Sequence, residues 1–337
     1  MTPSELRERA AHLPALPIVA APTPVEPLSR LSAALGAERS ARLQPSDTSP
    51  RLFVKRDDAI PFGFGGNKVR KLALVAGRAK ADEADTLITA GGVQSNHARA
   101  TAATAAKFGM RAILVANGAP QAKPSANALL DRLLGAEVVH VATREERQPK
   151  MRELADRLRA TGGRPFVIPV GASTSLGAVG FALAVAELLD QMPAPDVIVH
   201  STSSGGTQAG LVAGCRLLGL KTRVVGVSAD ASSSALQSDV ASIVEGMAEV
   251  LSVDRGLLAT GTAIEVDDSF VGEGYGIPTE ASTAAIELCA RTEALFLDPT
   301  YTAKAMAGLI ARVRDGRLTG DQTVLFWHTG GQVGLFA

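Results

Sequence analysis

The sequence predicts an α/β protein, and three observations carry that prediction. Short, mostly apolar runs recur at 86–89, 112–116, 137–141, 166–170, 197–200, 224–228 and 324–327. Longer stretches of helical periodicity lie between them. Strands that are apolar on both faces and alternate with helices are the pattern of parallel βαβ units, buried beneath helices on both sides. Finally, Gly, Ser and Asn gather at points where an apolar run gives way to a helix, as at 90–97 and 201–210.

Taken in order, the chain opens with a Pro- and Ala-rich lead to 23–28, followed by a short helical pattern through Leu35. Residues 36–50 are polar and rich in Ser, Arg and Pro, which predicts a surface loop. Residues 51–56 are strand-like and deliver the chain to a glycine-rich stretch at 62–71. Helices are expected at 98–108, 125–134, 145–160, 176–189, 208–218, 234–251, 279–292 and 302–314. The βαβ run of 71–171 is long enough for one small α/β domain, with 1–70 and 172–337 together forming a larger one. A ligand held between two mostly parallel, twisted sheets would touch loops from both.

Composition narrows the function. A chain of 337 residues that is 46% hydrophobic and 20% charged has the balance of a soluble protein with a large core. Lys plus Arg equals Asp plus Glu at 34 each, so no basic surplus recruits nucleic acid or an anionic membrane. The expected partner is a small molecule. Cys215 and Cys289 sit in apolar helical patterns and, with five histidines, form neither a disulfide framework nor a metal-ligand cluster. The first residues include Glu5 and Glu8, and Pro14 and Pro17 interrupt the next apolar run, so a signal peptide is not expected. No run approaches the length of a membrane span. The cytoplasm is the expected location.

Four segments carry chemistry. In 65–68, Gly65 and Gly66 permit close backbone approach, Asn67 is suited to capping a helix, and Lys68 falls in its first turn. There the dipole and the neighbouring Arg70 and Lys71 disfavour its charged form, as Schiff-base chemistry needs, although most such lysines are simply solvated. The turn with Ser95, Asn96 and His97 offers amides at a helix start: an anion site, or plain capping by Ser95 or Asn96. His97 reads as a packed core histidine rather than a base. The strongest anion candidate is the strand-to-helix turn carrying Ser203, Ser204, Gly205, Gly206 and Thr207. It has neither a G-x-G-x-x-G fingerprint nor a P-loop ending, which argues against nucleotides and favours a phosphate monoester. The chain's two tyrosines, Tyr275 and Tyr301, both fall in C-terminal loops, and phenols combine a stacking face with a proton donor.

Together 65–71, 94–97, the Ser-Gly-Gly-Thr turn, 272–275, 298–301 and 328–331 resemble the D-cysteine desulfhydrase and 1-aminocyclopropane-1-carboxylate deaminase family, from about Thr23 onward. The resemblance implies a tryptophan-synthase-β type of fold (fold type II), pyridoxal phosphate as cofactor, an amino-acid substrate and a homodimer. It implies that Lys68 resembles the lysine that carries the cofactor, that Asn96 matches the residue at its phenolic oxygen, and that 203–207 resemble the phosphate cup. Ser95 looks like the residue holding the substrate carboxylate or assisting proton transfer, with His97 beside it, and Tyr275 and Tyr301 match the two active-site tyrosines. Where deaminases of the family carry glutamate and leucine, this chain has Thr302 and Thr329, both placed near the cofactor by the resemblance. A hydroxyl in place of a carboxylate leaves the pyridine nitrogen largely neutral, a weaker electron sink suited to expelling a good leaving group such as thiolate. The expected reaction is therefore α,β-elimination on D-cysteine to pyruvate, ammonia and hydrogen sulfide. Alternatives are the cyclopropane deaminase, a lyase for L-cysteine, cysteate or β-chloroalanine, and a non-catalytic binder of pyridoxal phosphate or an amino acid.

Overall fold

The computed structural model describes residues 1–40, 49–259 and 264–337. Its elements run α1 (Pro3–Ala10), β1 (Val25–Pro27), α2 (Ser29–Ser40), β2 (Arg51–Arg56), α3 (Asn67–Ala81), β3 (Thr86–Gly92), α4 (Asn96–Lys107), β4 (Arg111–Asn117), α5 (Ala126–Leu133), β5 (Glu137–Val141) and α6 (Arg147–Ala160). The chain continues through β6 (Pro165–Val167), α7 (Ser175–Leu189), β7 (Val197–Thr202), α8 (Gly206–Leu217), β8 (Arg223–Ser228), α9 (Ser233–Val250), β9 (Glu265–Asp267), α10 (Glu280–Glu293), α11 (Thr302–Arg314) and β10 (Thr323–His328).

Two sheets result. The larger has the order β1-β2-β10-β7-β8-β9 and the smaller β5-β4-β3-β6. Every pairing is parallel except the edge pair β1 with β2, where Val25 faces Lys55. The central strands β3, β7 and β10 are almost wholly buried, as their unbroken apolar runs require. Helices cover both faces. On the larger sheet, Phe181, Val185, Leu211 and Val244 pack one side with Ile198 and Trp327, while Leu31, Leu35, Met306 and Leu309 pack the other with Val199 and Phe326. On the smaller, Leu72, Val75 and Ala102 pack against Leu87 and Leu114, and Met151 and Leu154 against Ile88 and Ile113.

Three local expectations need correction. The stretch 36–50 is helical as far as Ser40, because Ala37, Glu38 and Arg39 are good helix formers and extend α2; residues 41–48 lie outside the described residues. The run 166–170 stops as a strand at Val167, ahead of Pro169, which lacks the N–H a ladder needs. The N-terminal lead contains α1, started by a capping box in which Thr2 and Glu5 satisfy each other's backbone amides. No helix among the described residues is long and apolar enough to cross a membrane.

Candidate active site

The C-terminal ends of both sheets face one cavity, the usual binding place in open parallel sheets. Its wall includes Gly91 and Gly92 from β3, Ser201 and Thr202 from β7, and Thr329 just past β10. Two glycine turns close its floor. Gly65 and Gly66 hold φ of 67° and 94°, and a Cβ on Gly66 would stand 2.9 Å from the Thr329 carbonyl oxygen. The Asn67 amide donates to that oxygen at 2.9 Å, locking the start of α3 against the end of β10. The N-cap of α3 is Gly66 and makes no side-chain cap, so Asn67 does not cap the helix. Its Nδ2 instead donates to Thr207 Oγ1 at 2.9 Å, tying the lysine-bearing helix to the 203–207 turn.

Lys68 rises from the first turn of α3 into this cavity. Burial lowers its ammonium from 10.5 to about 8, and a hydrogen bond with Lys71 offsets part of the effect. Lys71 is buried and held well below the usual lysine range, first by burial and then by the Lys68 charge; its Nζ donates to Ser173 Oγ at 3.3 Å. The lowering expected for Lys68 is present, but burial causes it; Arg70 takes no part and Lys71 acts in the opposite sense. Arg70 points to the opposite side of α3, into carboxylates of Asp57 and Glu187.

The 203–207 turn brings Gly205 into the left-handed region at φ 73° and starts α8 without a cap from its own N-cap side chain; the Gly206 amide is taken locally, and the Thr207 and Gln208 amides that follow it face a ligand. A Cβ on Gly206 would lie 2.8 Å from Ser173 Cα, so only glycine fits. Ser173 bridges the region: its hydroxyl pairs with Ser204 Oγ at 2.8 Å and accepts from the Gly206 amide at 3.3 Å. Thr202 Oγ1 is buried beside this turn with no partner. Open amides, spare hydroxyls and the buried amine of Lys71 behind Ser173 fit a phosphate monoester.

Across the cavity, Ser95 caps α4 by accepting from the Ala98 amide at 3.2 Å, so the capping reading holds while Ser95 and Asn96 also line the wall. Asn96 Oδ1 accepts from Asn127 Nδ2 at 2.9 Å, which fixes its orientation. His97 is buried, and burial together with the Lys68 and Lys71 charges keeps it neutral. Thr89 spends its hydroxyl hydrogen on the Ile168 carbonyl, at 2.8 Å. His97 Nε2 must therefore donate to Thr89 Oγ1, also 2.8 Å away, leaving Nδ1 unprotonated and without a partner. This is the packed histidine that the sequence favoured, at the edge of the cavity.

The two tyrosines meet. Their hydroxyls share a hydrogen bond and their rings pack edge-on, with centroids 5.8 Å apart. Burial raises both phenols, Tyr301 well above its ordinary value with further help from Tyr275, so both are protonated at neutral pH. Thr329 lines the cavity and pairs with Ser201 Oγ at 3.0 Å. Thr302 does not. Its hydroxyl donates to Asp298 Oδ1 at 2.7 Å and accepts from the Asp298 amide at 2.8 Å. The same carboxylate collects the amides of Thr300, Tyr301 and Thr302, so Thr302 serves the turn that presents Tyr301.

Sequence reasoning missed Ser173, Arg144, Arg147 and Asp230. Arg144 stacks over the Tyr275 ring at 4.7 Å and pairs with Asp230 at 2.6 Å, joining the turn after β5 to the one after β8. None of these four carries a local motif.

A low-pKa lysine facing an uncapped helix start, between two parallel sheets, defines an enzyme that works through a phosphorylated carbonyl cofactor. The model for pyridoxal-phosphate dependent enzymes matches residues 18–330, and the chain belongs to that family, with pyridoxal phosphate as its cofactor. The chain is 38% identical to a D-cysteine desulfhydrase of Serratia proteamaculans (strain 568), over 98% of each. It is 37% identical to one of Salmonella newport (strain SL254), over 97% of this chain and 96% of that one. A solved homologue of ACC deaminase superposes with a TM-score of 0.88 at 32% identity, covering 98% of this chain and 96% of the other. A pyridoxal 5'-phosphate-dependent aspartate racemase shares the fold at a TM-score of 0.68 and 16% identity, over 98% and 95%. The architecture is the tryptophan-synthase-β type, fold type II.

Proposed function

We propose that this enzyme is a lyase that removes the β-substituent of a cysteine-like amino acid, converting D-cysteine to pyruvate, ammonia and hydrogen sulfide. The observation that carries this reading is full-length identity of 38% to proteins named D-cysteine desulfhydrase. The roles below follow from geometry and resemblance. Bound pyridoxal phosphate supplies an electron sink for the α-carbon of an attached amino acid. Lys68 holds the cofactor and, displaced as a neutral amine, takes the α-proton; its lowered pKa supports both tasks. The open amides of α8, with Ser203, Ser204, Gly205, Gly206 and Thr207 and helped by Ser173 and Lys71, hold phosphate. Asn96, held in place by Asn127, would meet the cofactor's phenolic oxygen, and Thr329, braced by Ser201, would border its ring. Ser95, flanked by Asn96 and His97 at the start of α4, takes the substrate carboxylate. The protonated Tyr275 and Tyr301 pair delivers a proton to the departing sulfur.

In this reading 71–171 is a small domain beside a larger one made of 1–70 and 172–337, the protein is a cytoplasmic homodimer, and the cavity lies between the domains. The similarity to a solved ACC deaminase homologue keeps ring opening of the cyclopropane amino acid as the second reading. Thr329 on the cavity wall, where the deaminase branch has leucine, weighs against it. Release of the 2-oxo acid tests the choice: pyruvate from D-cysteine, L-cysteine and β-chloroalanine, and the four-carbon 2-oxobutanoate from the cyclopropane amino acid. Turnover of D-cysteine with little ring opening is expected; ring opening without cysteine turnover overturns the proposal.

A further inference from the structure

Two buried side chains that the chemistry above does not use, Arg99 on α4 and Asn127 on α5, form a chain of hydrogen bonds that ends at Asn96. Burial brings the Arg99 guanidinium down to about 10, with Asp131 acting against that shift, so it is charged at neutral pH and can only donate. Its Nε donates to Asn127 Oδ1 at 3.1 Å. Asn127 Nδ2 in turn donates to the Gln94 carbonyl and to Asn96 Oδ1, both at 2.9 Å. Two partners therefore fix the Asn127 amide independently, since a guanidinium has no acceptor and a backbone carbonyl has no donor. Turned end for end, it would set NH2 against Arg99 and oxygen against the Gln94 carbonyl. The setting passes on: the Asn96 oxygen is engaged by Asn127, and the Asn96 NH2 is left for the cavity that Asn96 lines. The same guanidinium also donates to the carbonyls of Gly63 and, at 3.3 Å, of Gly65, in the glycine turn that leads into Lys68.

We infer that Arg99 and Asn127 are positioning residues that set the polarity of Asn96, so that it presents a donor and not an acceptor to the cofactor's phenolic oxygen, while Arg99 also holds the turn ahead of Lys68. The inference deepens the reading above and rests on its placement of Asn96. A donor at that oxygen favours the charged phenolate over the neutral phenol. Bound cofactor absorbs at longer wavelength as the phenolate than as the phenol, so the relay has an optical readout that is independent of turnover.

The test is made on cofactor-loaded enzyme, and Asn127→Asp is the decisive variant. It keeps the size of the side chain, keeps an acceptor for Arg99 and adds a counter-charge beside it, but it replaces the NH2 with oxygen. Asn96 must then turn its own NH2 to the new carboxylate and its oxygen to the cofactor. The ratio of the long-wavelength to the short-wavelength band should fall about tenfold, the size of one hydrogen bond to a charged acceptor, and Asn96→Ala should lower it as far. Combining the two should lower it no further than Asn96→Ala alone, because Asn127 acts through Asn96. Arg99→Met should also lower the ratio and Arg99→Lys should restore part of it; equal ratios in these two overturn the part given to Arg99. A wild-type ratio in Asn127→Asp, or losses that add in the double variant, overturns the relay. If Asn96→Ala leaves the ratio unchanged, the placement of Asn96 at the phenolic oxygen fails instead. Neutron diffraction from the loaded enzyme then decides the relay by itself: deuterium on Asn127 facing Gln94 and Asn96 supports it, and a reversed amide at Asn127 overturns it.

Discussion

One helix, α3, carries two opposite treatments of positive charge within a single turn. Arg70 is compensated completely: its guanidinium reaches both oxygens of Asp57 at 3.0 Å, Glu187 at 2.8 and 2.9 Å, and the Thr23 hydroxyl. Lys55 joins Glu187 at 2.6 Å, and the Trp327 indole donates to Asp57 at 2.8 Å. Although burial pushes the Glu187 carboxyl up, Arg70 and Lys55 bring it down to about 2. On the other side of the helix, Lys68 and Lys71 are removed from water with no carboxylate to meet them, and both are easier to deprotonate as a result. Structure is held where charges are paired, and reactivity arises where they are not. The paired side also fixes the unpaired one, because the Asp57 carbonyl accepts the Gly66 amide at the start of α3, one turn before Lys71.

The largest effect should come from breaking the paired side. Arg70→Leu leaves the buried Asp57 without its cation and Glu187 with Lys55 alone, and should destabilise the protein by about 3–5 kcal/mol, measured by urea unfolding. Loss of less than about 1 kcal/mol would show that the network is not structural. Next is the phosphate turn: Ser204→Ala with Thr207→Ala removes two hydroxyls and should weaken cofactor retention by about 2–3 kcal/mol in equilibrium dialysis. The double variant also cuts the link from Thr207 to Asn67, so Asn67→Ala alone should reproduce only the smaller, positional part.

The pH windows sharpen the contrast. Glu187 has a folded pKa of about 2 against an ordinary 4.5, so its stabilisation is complete above 4.5 and lost as pH falls toward 2. Lys68 runs the other way in cofactor-free protein. With a folded value of about 8 against 10.5, the unfolded chain binds more protons between these limits, so stability rises with pH across that window. Lys68→Met should flatten the alkaline rise and leave the acid limb alone, and Glu187→Gln the reverse, in denaturation curves at stepped pH.

Much of this was legible in the chain because the informative residues are adjacent. The strand run at 112–116 is unbroken and apolar, and the turn at 203–207 puts its hydroxyls and glycines in consecutive positions, as 94–97 does its short polar side chains. The short edge strands β1 and β9 were not, since three residues containing Glu or Asp give no alternation to read. Side-chain choice of partner was the main loss. Helical spacing of two does turn Arg70 away from Lys68, but nothing local says that Arg70 meets Glu187, that Asn67 reaches Thr207 instead of capping α3, or that Thr302 spends its hydroxyl on Asp298. Arg144 and Asp230 are 86 positions apart and meet only because two sheets place their turns at one cavity.

The central claim is that the unpaired side of α3 supplies the cofactor lysine, and Lys68 rather than Lys71 or Lys55. Borohydride reduction of the cofactor-loaded enzyme, followed by peptide mapping, tests it directly. A pyridoxyl label confined to Lys68 is the predicted result; a label on Lys71, or on the paired Lys55, would contradict the account.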